Sequence, residues 1–256
     1  VIFGFARQAR AEPAAVPHGL RLYAVGDIHG RLDLLDRLLA EIITDAERAG
    51  DAPGGTMNYL VFLGDYVDRG PDSSGVIERL AEGPPPGFGA FYLKGNHEAA
   101  MIRFLTDLRA GPAWLRFGGD ATLHSYGILA PDPADPLFAA HLQRVQERLC
   151  HGLPPRHLAF LTGLRPSLAI GGYLFVHAGI RPGVPMDAQQ EDDLLWIRED
   201  FLDSPADHGP VVVHGHTITT SPDVRTNRIG IDTGAYATNR LTCLVLEGTE
   251  RRFLST

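Results

Sequence analysis

Three times in its N-terminal half the chain repeats one local pattern: a short apolar run, a polar turn containing glycine, then an amphipathic stretch. Leu20 to Val25 runs into Gly26-Asp27-Ile28-His29-Gly30. A helix is expected from about Arg31 to Arg48, with Leu34, Leu35, Leu38, Leu39, Ile42 and Ile43 at helical spacing. Tyr59 to Leu63 ends at Gly64-Asp65, and Ser73 or Ser74 is placed to cap a helix through about Ala81. Ala90 to Leu93 ends at Gly95-Asn96-His97-Glu98, before a further helix to about Leu108. Strand and helix alternating in this way predict α/β layers.

The remainder reads differently. Residues 111–164 are rich in Pro and Gly, with helical pieces at Pro136 to Cys150 and Arg156 to Leu164, and read as a helical insertion over one end of the sheet. Ser167 to Ile170 and Tyr173 to Val176, joined at Gly171-Gly172, form an expected hairpin. Later strands are expected at Val211 to Val213, Arg228 to Ile231, Leu241 to Leu246 and Arg252 to Leu254. Strands without intervening helices predict a second, mostly antiparallel sheet. Residues 1–18 read as an N-terminal arm and 19–256 as one domain.

Composition narrows the function. At 44% hydrophobic the 256 residues can bury a sizeable core, and no apolar run approaches the roughly 18 residues that span a bilayer. A net charge of −8 argues against nucleic acid as partner. Two cysteines are too few for a disulfide framework, so a reducing, cytoplasmic setting is expected. A monomer without membrane contact is the expected state.

Chemistry-bearing residues sit just past the ends of five apolar runs: Asp27/His29, Asp65/Asp68/Arg69, Asn96/His97, His177 and His214/His216. Ligands of open α/β sheets gather at that edge. Singly, each has a plain structural reading: a turn for Asp27-Ile28-His29, a helix cap for Asn96, a core imidazole for His177. Together they make a mixed oxygen and nitrogen donor set that favours Mn, Fe, Zn or Co. Asp27, His29, Asp65, Asn96, His177 and His216 are too many for one ion that must also hold water. They suit two, with Asp65 as the bridging carboxylate.

These blocks carry a resemblance. Gly26-Asp27-Ile28-His29-Gly30, Gly64-Asp65-Tyr66-Val67-Asp68-Arg69-Gly70, Gly95-Asn96-His97-Glu98 and His177-Ala178-Gly179 resemble the signatures of the PPP phosphoprotein phosphatases, within the calcineurin-like metallophosphoesterases. His214-Gly215-His216-Thr217 and Ile231-Asp232-Thr233-Gly234-Ala235 resemble the bacterial members. The resemblance covers about residues 20–247. It implies an α/β fold of two packed mixed β-sheets flanked by helices, with the insertion near the active-site rim. It implies a first metal on Asp27, His29 and Asp65, and a second on Asp65, Asn96, His177 and His216. Mn2+ is the expected ion, with Fe or Zn as alternatives. His214 is not a family ligand, and the superfamily's further histidine two past His216 is here Ile218.

The implied reaction is in-line attack on phosphorus by a hydroxide held between the metals. His97 would protonate the leaving oxygen, Asp68 would orient His97, and Arg69 and Arg198 would fork onto phosphate oxygens. Asp68 as a turn residue before Pro71, and Arg198 as a surface arginine, are the plain alternatives. Trp196 reads as core rather than as a substrate-stacking residue. Arg181 and Tyr236 are candidate pocket walls. The expected substrate is a phosphoprotein or phosphopeptide, carrying phosphoserine, phosphothreonine or phosphotyrosine. A diadenosine tetraphosphate hydrolase is the alternative, and an inactive binding scaffold the remote one.

Overall fold

The computed structural model describes residues 13–50 and 55–256. In chain order the first half contains β1 (Leu20–Val25), α1 (Leu32–Ala49), β2 (Met57–Phe62), α2 (Ser73–Ala81), β3 (Phe88–Tyr92) and α3 (Asn96–Thr106). The helical segment follows, with α4 (Gly111–Trp114), a π-turn at Leu115–Gly119, α5 (Asp120–Ser125), α6 (Phe138–Gly152) and α7 (Pro155–Thr162). Next come β4 (Ser167–Ile170), β5 (Tyr173–Val176), α8 (Glu191–Trp196), α9 (Glu199–Leu202), β6 (Val211–His214) and β7 (Asp223–Val224). The chain ends with β8 (Arg228–Gly230), α10 (Ala235–Thr238), β9 (Thr242–Glu247) and β10 (Glu250–Ser255).

Two five-stranded mixed sheets result, ordered β10-β9-β1-β2-β3 and β4-β5-β6-β8-β7. The strand period of two sorts each strand's side chains between layers. Leu22 and Ala24 of β1 meet Phe175, Val213 and Ile229 of the second sheet in the core between the sheets. Tyr23 and Val25, one residue out of phase, pack instead under the helices with Leu34, Leu38 and Leu149. The outer face of the second sheet, Leu174, Val176 and Val212, is covered by Leu194, Ile197 and Phe201 around α8 and α9.

Several expectations need correction. The second sheet is not mostly antiparallel: β5, β6 and β8 run parallel, and only the edge strands β4 and β7 are antiparallel. Parallel neighbours need a long crossover. Residues 177–210, which hold α8 and α9, supply the one between β5 and β6. The last two strands return to the first sheet, where β9 lies antiparallel to β1 and β10 to β9. The cap of α2 is Asp72, whose carboxylate accepts the Gly75 N–H at 2.8 Å; Ser73 is buried and faces Thr122.

Residues 1–12 of the expected arm lie outside the described residues. Residues 13–18 run beside the second sheet, with Val16 buried and the Ala15 carbonyl accepting the Gly172 N–H at 2.9 Å. No helix among the described residues is long and apolar enough to cross a membrane.

Candidate metal centre

The loops after β1, β2 and β3 of one sheet, and after β5 and β6 of the other, converge on one rim. Asp27, His29, Asp65, Asn96, His97, His177 and His216 are all buried there. Two trios of donor atoms lie within 4.8 Å of one another: His29, Asp65 and His97, and Asp65, His177 and His216. Asp65 belongs to both. Asp27 enters from behind, its carboxylate accepting the His216 N–H at 2.9 Å.

The loops hold unusual backbone. His29, Asp65, Asp68, Arg69 and His216 have φ of 47°, 51°, 72°, 69° and 63°. An L-residue in this left-handed region costs about 1–2 kcal/mol, and such strain persists only where surrounding contacts fix it. Glu98 is one such contact. Its buried carboxylate accepts N–H bonds from Gly95 (2.9 Å), Asp65 (2.9 Å), Tyr66 (2.7 Å) and Val67 (3.2 Å), pinning the Asp65 loop to the start of α3. Glycine is required where carboxylates pass: a Cβ on Gly95 would collide with the Asp65 carboxylate, and one on Gly215 with that of Asp27.

Backbone carbonyls orient the imidazoles. His29 Nδ1 is 2.8 Å from the Val67 carbonyl, and His177 Nδ1 is 2.9 Å from the Leu63 carbonyl. A carbonyl only accepts, so each Nδ1 carries the proton and each Nε2 presents a lone pair to the centre. Asn96 does not cap its helix; its Oδ1 lies 2.9 Å from His177 Nε2 and 3.0 Å from His216 Nδ1. Burial pushes His29 down to about 3 and His216 to about 2, and lowers His177 as well, so all three are neutral near pH 7. Neutral imidazole is the form that ligates metal. Burial would raise the Asp65 carboxyl, but the facing His177, His97 and His29 imidazoles, cationic at low pH, outweigh it and hold it below the usual range.

His97 behaves in the opposite way. Burial disfavours its cation, yet Asp65 and Asp68 overcome this and raise it to about 9. Its Nδ1 lies 2.7 Å from Asp68 Oδ2, and its Nε2 lies 3.8 Å from Asp65. Asp68 in turn accepts from Thr122 Oγ1 at 2.6 Å and from the Trp114 indole at 3.0 Å. Asp68 does stand in the turn before Pro71, but it is fully buried there under the helical segment.

A cavity of about 310 Å³ opens above, lined by His29, Asp65, Arg69, Asn96, His97, Arg198 and His216 among others. Arg69 Nη1 donates to the Tyr236 hydroxyl at 2.7 Å, with its guanidinium 4.8 Å from that ring. Arg198 Nη1 donates to Thr217 Oγ1 at 3.0 Å.

The expectation of a core Trp196 is overturned: it is 40% exposed and lines this cavity. Leu194 and Leu195 take the buried face of α8, and the helix ends at Trp196 with its ring turned outward. Arg181 is no wall of the cavity; it is held by Asp193 at 2.6 Å and Asp200 at 3.2 Å. Tyr236 sits beside the cavity against the His29 ring. His214 is buried against Phe201, away from the donors. Sequence reasoning missed Glu98 and Trp114 as supports, and Asp232, a buried carboxylate lining the cavity that accepts the Gly234 N–H at 2.8 Å. Its place in the Ile231-Asp232-Thr233-Gly234 turn was the available signal.

The residues fit a dinuclear metal site. The buried Asp27 Oδ1 and His216 Nε2 atoms at the centre have no hydrogen-bond partner, nor has His214 Nε2 outside it. Such orphaned polar atoms are costly unless something is coordinated there. Carboxylate, amide and imidazole donors together suit divalent transition metals.

The chain matches the calcineurin-like phosphoesterase family over residues 20–244. It is 28% identical to the asymmetrical bis(5'-nucleosyl)-tetraphosphatase PrpE of Oceanobacillus iheyensis, over 87% of each chain. It is 34% identical to serine/threonine-protein phosphatase 1 of Salmonella typhimurium, over 86% of this chain and 89% of that one. Among solved structures, one provisionally named a diadenosine tetraphosphatase superposes with a TM-score of 0.61 at 22% identity, covering 94% of this chain and 98% of that chain.

Proposed function

The chain belongs to the calcineurin-like phosphoesterase family, and from that premise we propose that it is a dinuclear-metal hydrolase of dinucleoside polyphosphates such as diadenosine tetraphosphate. The observation that carries this reading is its similarity to the bis(5'-nucleosyl)-tetraphosphatases along nearly the whole of both chains. We assign Asp27, His29 and Asp65 to one ion and Asp65, Asn96, His177 and His216 to the other, with Mn2+ as the expected metal. Two such ions activate water and neutralise phosphoryl oxygens.

The chain's own residues supply the rest. Arg69 and Arg198 receive non-bridging phosphate oxygens. Each is tethered through one nitrogen, which leaves other guanidinium N–H groups to face a ligand. His97, protonated at neutral pH, holds a proton at Nε2 for the departing oxygen, and Asp68 fixes its ring and stabilises its charge. Asp65, Asp68 and His97 are buried away from bulk water, while Arg69 and Arg198 stay exposed to meet the ligand. Two cysteines without a disulfide suit a reducing cytoplasm.

A second reading, hydrolysis of phosphoserine, phosphothreonine or phosphotyrosine in proteins, is favoured by the similarity to the Salmonella phosphatase. The test is a substrate panel with Mn2+ and after chelation: diadenosine tetraphosphate against the three phosphopeptides. The dinucleotide is expected to give the highest kcat/KM, and a phosphopeptide outpacing it would overturn the first reading in favour of the second.

A further inference from the structure

A second cavity, about 760 Å³, adjoins the catalytic one and is larger than it. The two meet at a ridge made by Phe117 and Trp196, which line both. These rings are 39% and 40% exposed, with centroids 5.7 Å apart and planes at 49°. Large aromatic faces exposed at a cavity mouth are unusual unless something covers them. The ridge stands directly over the chemistry: the Phe117 ring is 6.2 Å from that of His97, and the Trp196 ring 6.3 Å from that of His216.

The far groove has a different electrostatic character from the catalytic pocket. Its cations Lys94, Arg103 and Arg109 are matched by Asp107, Glu191 and Asp192. Lys94 pairs with Glu191 at 2.7 Å, and Arg109 with Asp107 at 2.9 Å. A surface balanced in this way gives no advantage to a further phosphate, but it offers donors and acceptors to a neutral polar group. The groove on the opposite flank, past Arg69, has no comparable free ring, because Tyr236 spends its face on the Arg69 guanidinium.

We propose that the Phe117–Trp196 ridge and the groove beyond it form the subsite for one nucleoside of the substrate, with the base stacked on the ridge and the ribose in the charge-balanced groove. This rests on the dinucleotide reading and deepens it. With a phosphoryl group at the metals, the ester chain leads outward past His97 and His216, and the first planar surface it reaches is this ridge. Base–aromatic stacking is tolerant of base identity, so the subsite selects for a nucleoside rather than for adenine in particular.

The test compares AMP with ribose 5-phosphate, which share phosphate and sugar and differ only in the base. Binding to the metal-loaded chain is measured by calorimetry, beside kcat/KM for diadenosine tetraphosphate. The wild-type chain is expected to prefer AMP by about tenfold or more, within the range found when a stacking aromatic is truncated. Trp196→Ala and Phe117→Ala are expected to remove most of that preference, and Trp196→Phe, which keeps an aromatic face, to restore it. No base preference in the wild type, or a preference that survives both alanine variants, would overturn the proposal. Failure of the two readings is separable. A base preference lost in Trp196→Ala without dinucleotide hydrolysis keeps the subsite and sinks the substrate. Dinucleotide hydrolysis with KM unmoved in both alanine variants does the reverse.

Discussion

His97 and His29 are neighbours whose rings sit 4.6 Å apart, yet they are held in opposite charge states. The difference comes from their Nδ1 partners: a neutral carbonyl for His29, and the Asp68 carboxylate for His97. Asp68→Asn should therefore lower kcat on an alkyl phosphate by about a hundredfold, within the span of general-acid contributions. Asp68 raises His97, so the wild-type rate on such a substrate should fall on the alkaline side, as the imidazolium loses its proton. In Asp68→Asn that limb should move toward lower pH, and a pH–rate profile with the limb unmoved would remove Asp68 from this role. His97→Asn should spare p-nitrophenyl phosphate, whose leaving group barely needs a proton, far more than the alkyl ester. Most of these residues were legible because each stands beside glycine at the end of an apolar run. Trp196 was misread because Leu194-Leu195-Trp196-Ile197 is uniformly apolar, and only the end of α8 decides which side chain turns outward. Glu98 was quoted only as part of a motif; its hydrogen bonds reach back to residues 65–67 and are invisible to local pattern. Replacing it by Ala strands buried N–H groups and should cost about 3 kcal/mol or more, read as a fall in the urea midpoint.

The π-turn at Leu115–Gly119 shows how an irregular element places functional groups. Such turns inside helices recur at functional sites. Here Gly118, at φ 105°, directs its carbonyl to the Arg69 N–H at 3.1 Å, and the preceding Phe117 stands at the cavity mouth. A Cβ on Gly118 would lie 2.9 Å from both the Arg69 backbone nitrogen and Cγ. Gly118→Ala should cost about 1 kcal/mol of stability from the left-handed backbone alone. It should lower kcat/KM for phosphate substrates about tenfold by shifting Arg69, whereas wild-type kcat/KM with a lowered melting temperature would show that Arg69 had not moved. Sequence reading placed helical pieces at 136–150 and 156–164 but none over 111–125, because the Gly118-Gly119 pair fits a loop equally well. Sheet membership was likewise opaque: β9 and β10 follow the second sheet's strands in sequence but complete the first, since β1, the partner of β9, lies more than 200 residues upstream.

Over the whole molecule, the donors come from both sheets: Asp27, His29, Asp65 and Asn96 from loops of the first, and His177 and His216 from loops of the second. Metal binding should thus be read as stability. At a hundredfold excess over Kd each ion adds about 2.7 kcal/mol, so chelation of the proposed pair should lower the melting temperature by about 10–20 °C for a chain of this size. Buried neutral histidines also make the metal-free chain acid-sensitive. His29, His177, His214 and His216 are all held low by burial, with values of about 3, 4 and 2 for His29, His214 and His216. The unfolded chain protonates them near pH 6.5, so it binds more protons, and stability should decline from pH 6.5 down to about 3. His97 has the opposite sign: its contribution is complete below 6.5 and fades through 9. Burial also raises Glu98 to about 8 and Asp232 to about 6, which acts with the opposite sign, so the buried-neutral assignment is checked by NMR titration of the metal-free chain: folded-state His29 or His216 imidazoles titrating near 6.5 would contradict it. The two-sheet origin of the donors also sets a timetable. A chain emerging from the ribosome displays Asp27, His29, Asp65 and Asn96 well before His177 and His216 exist, so neither the cross-sheet clasp nor a complete second ligand set can form on a partial product. A copy that ends before His216 would lack part of the proposed second ligand set and is expected to be silent rather than weakly active.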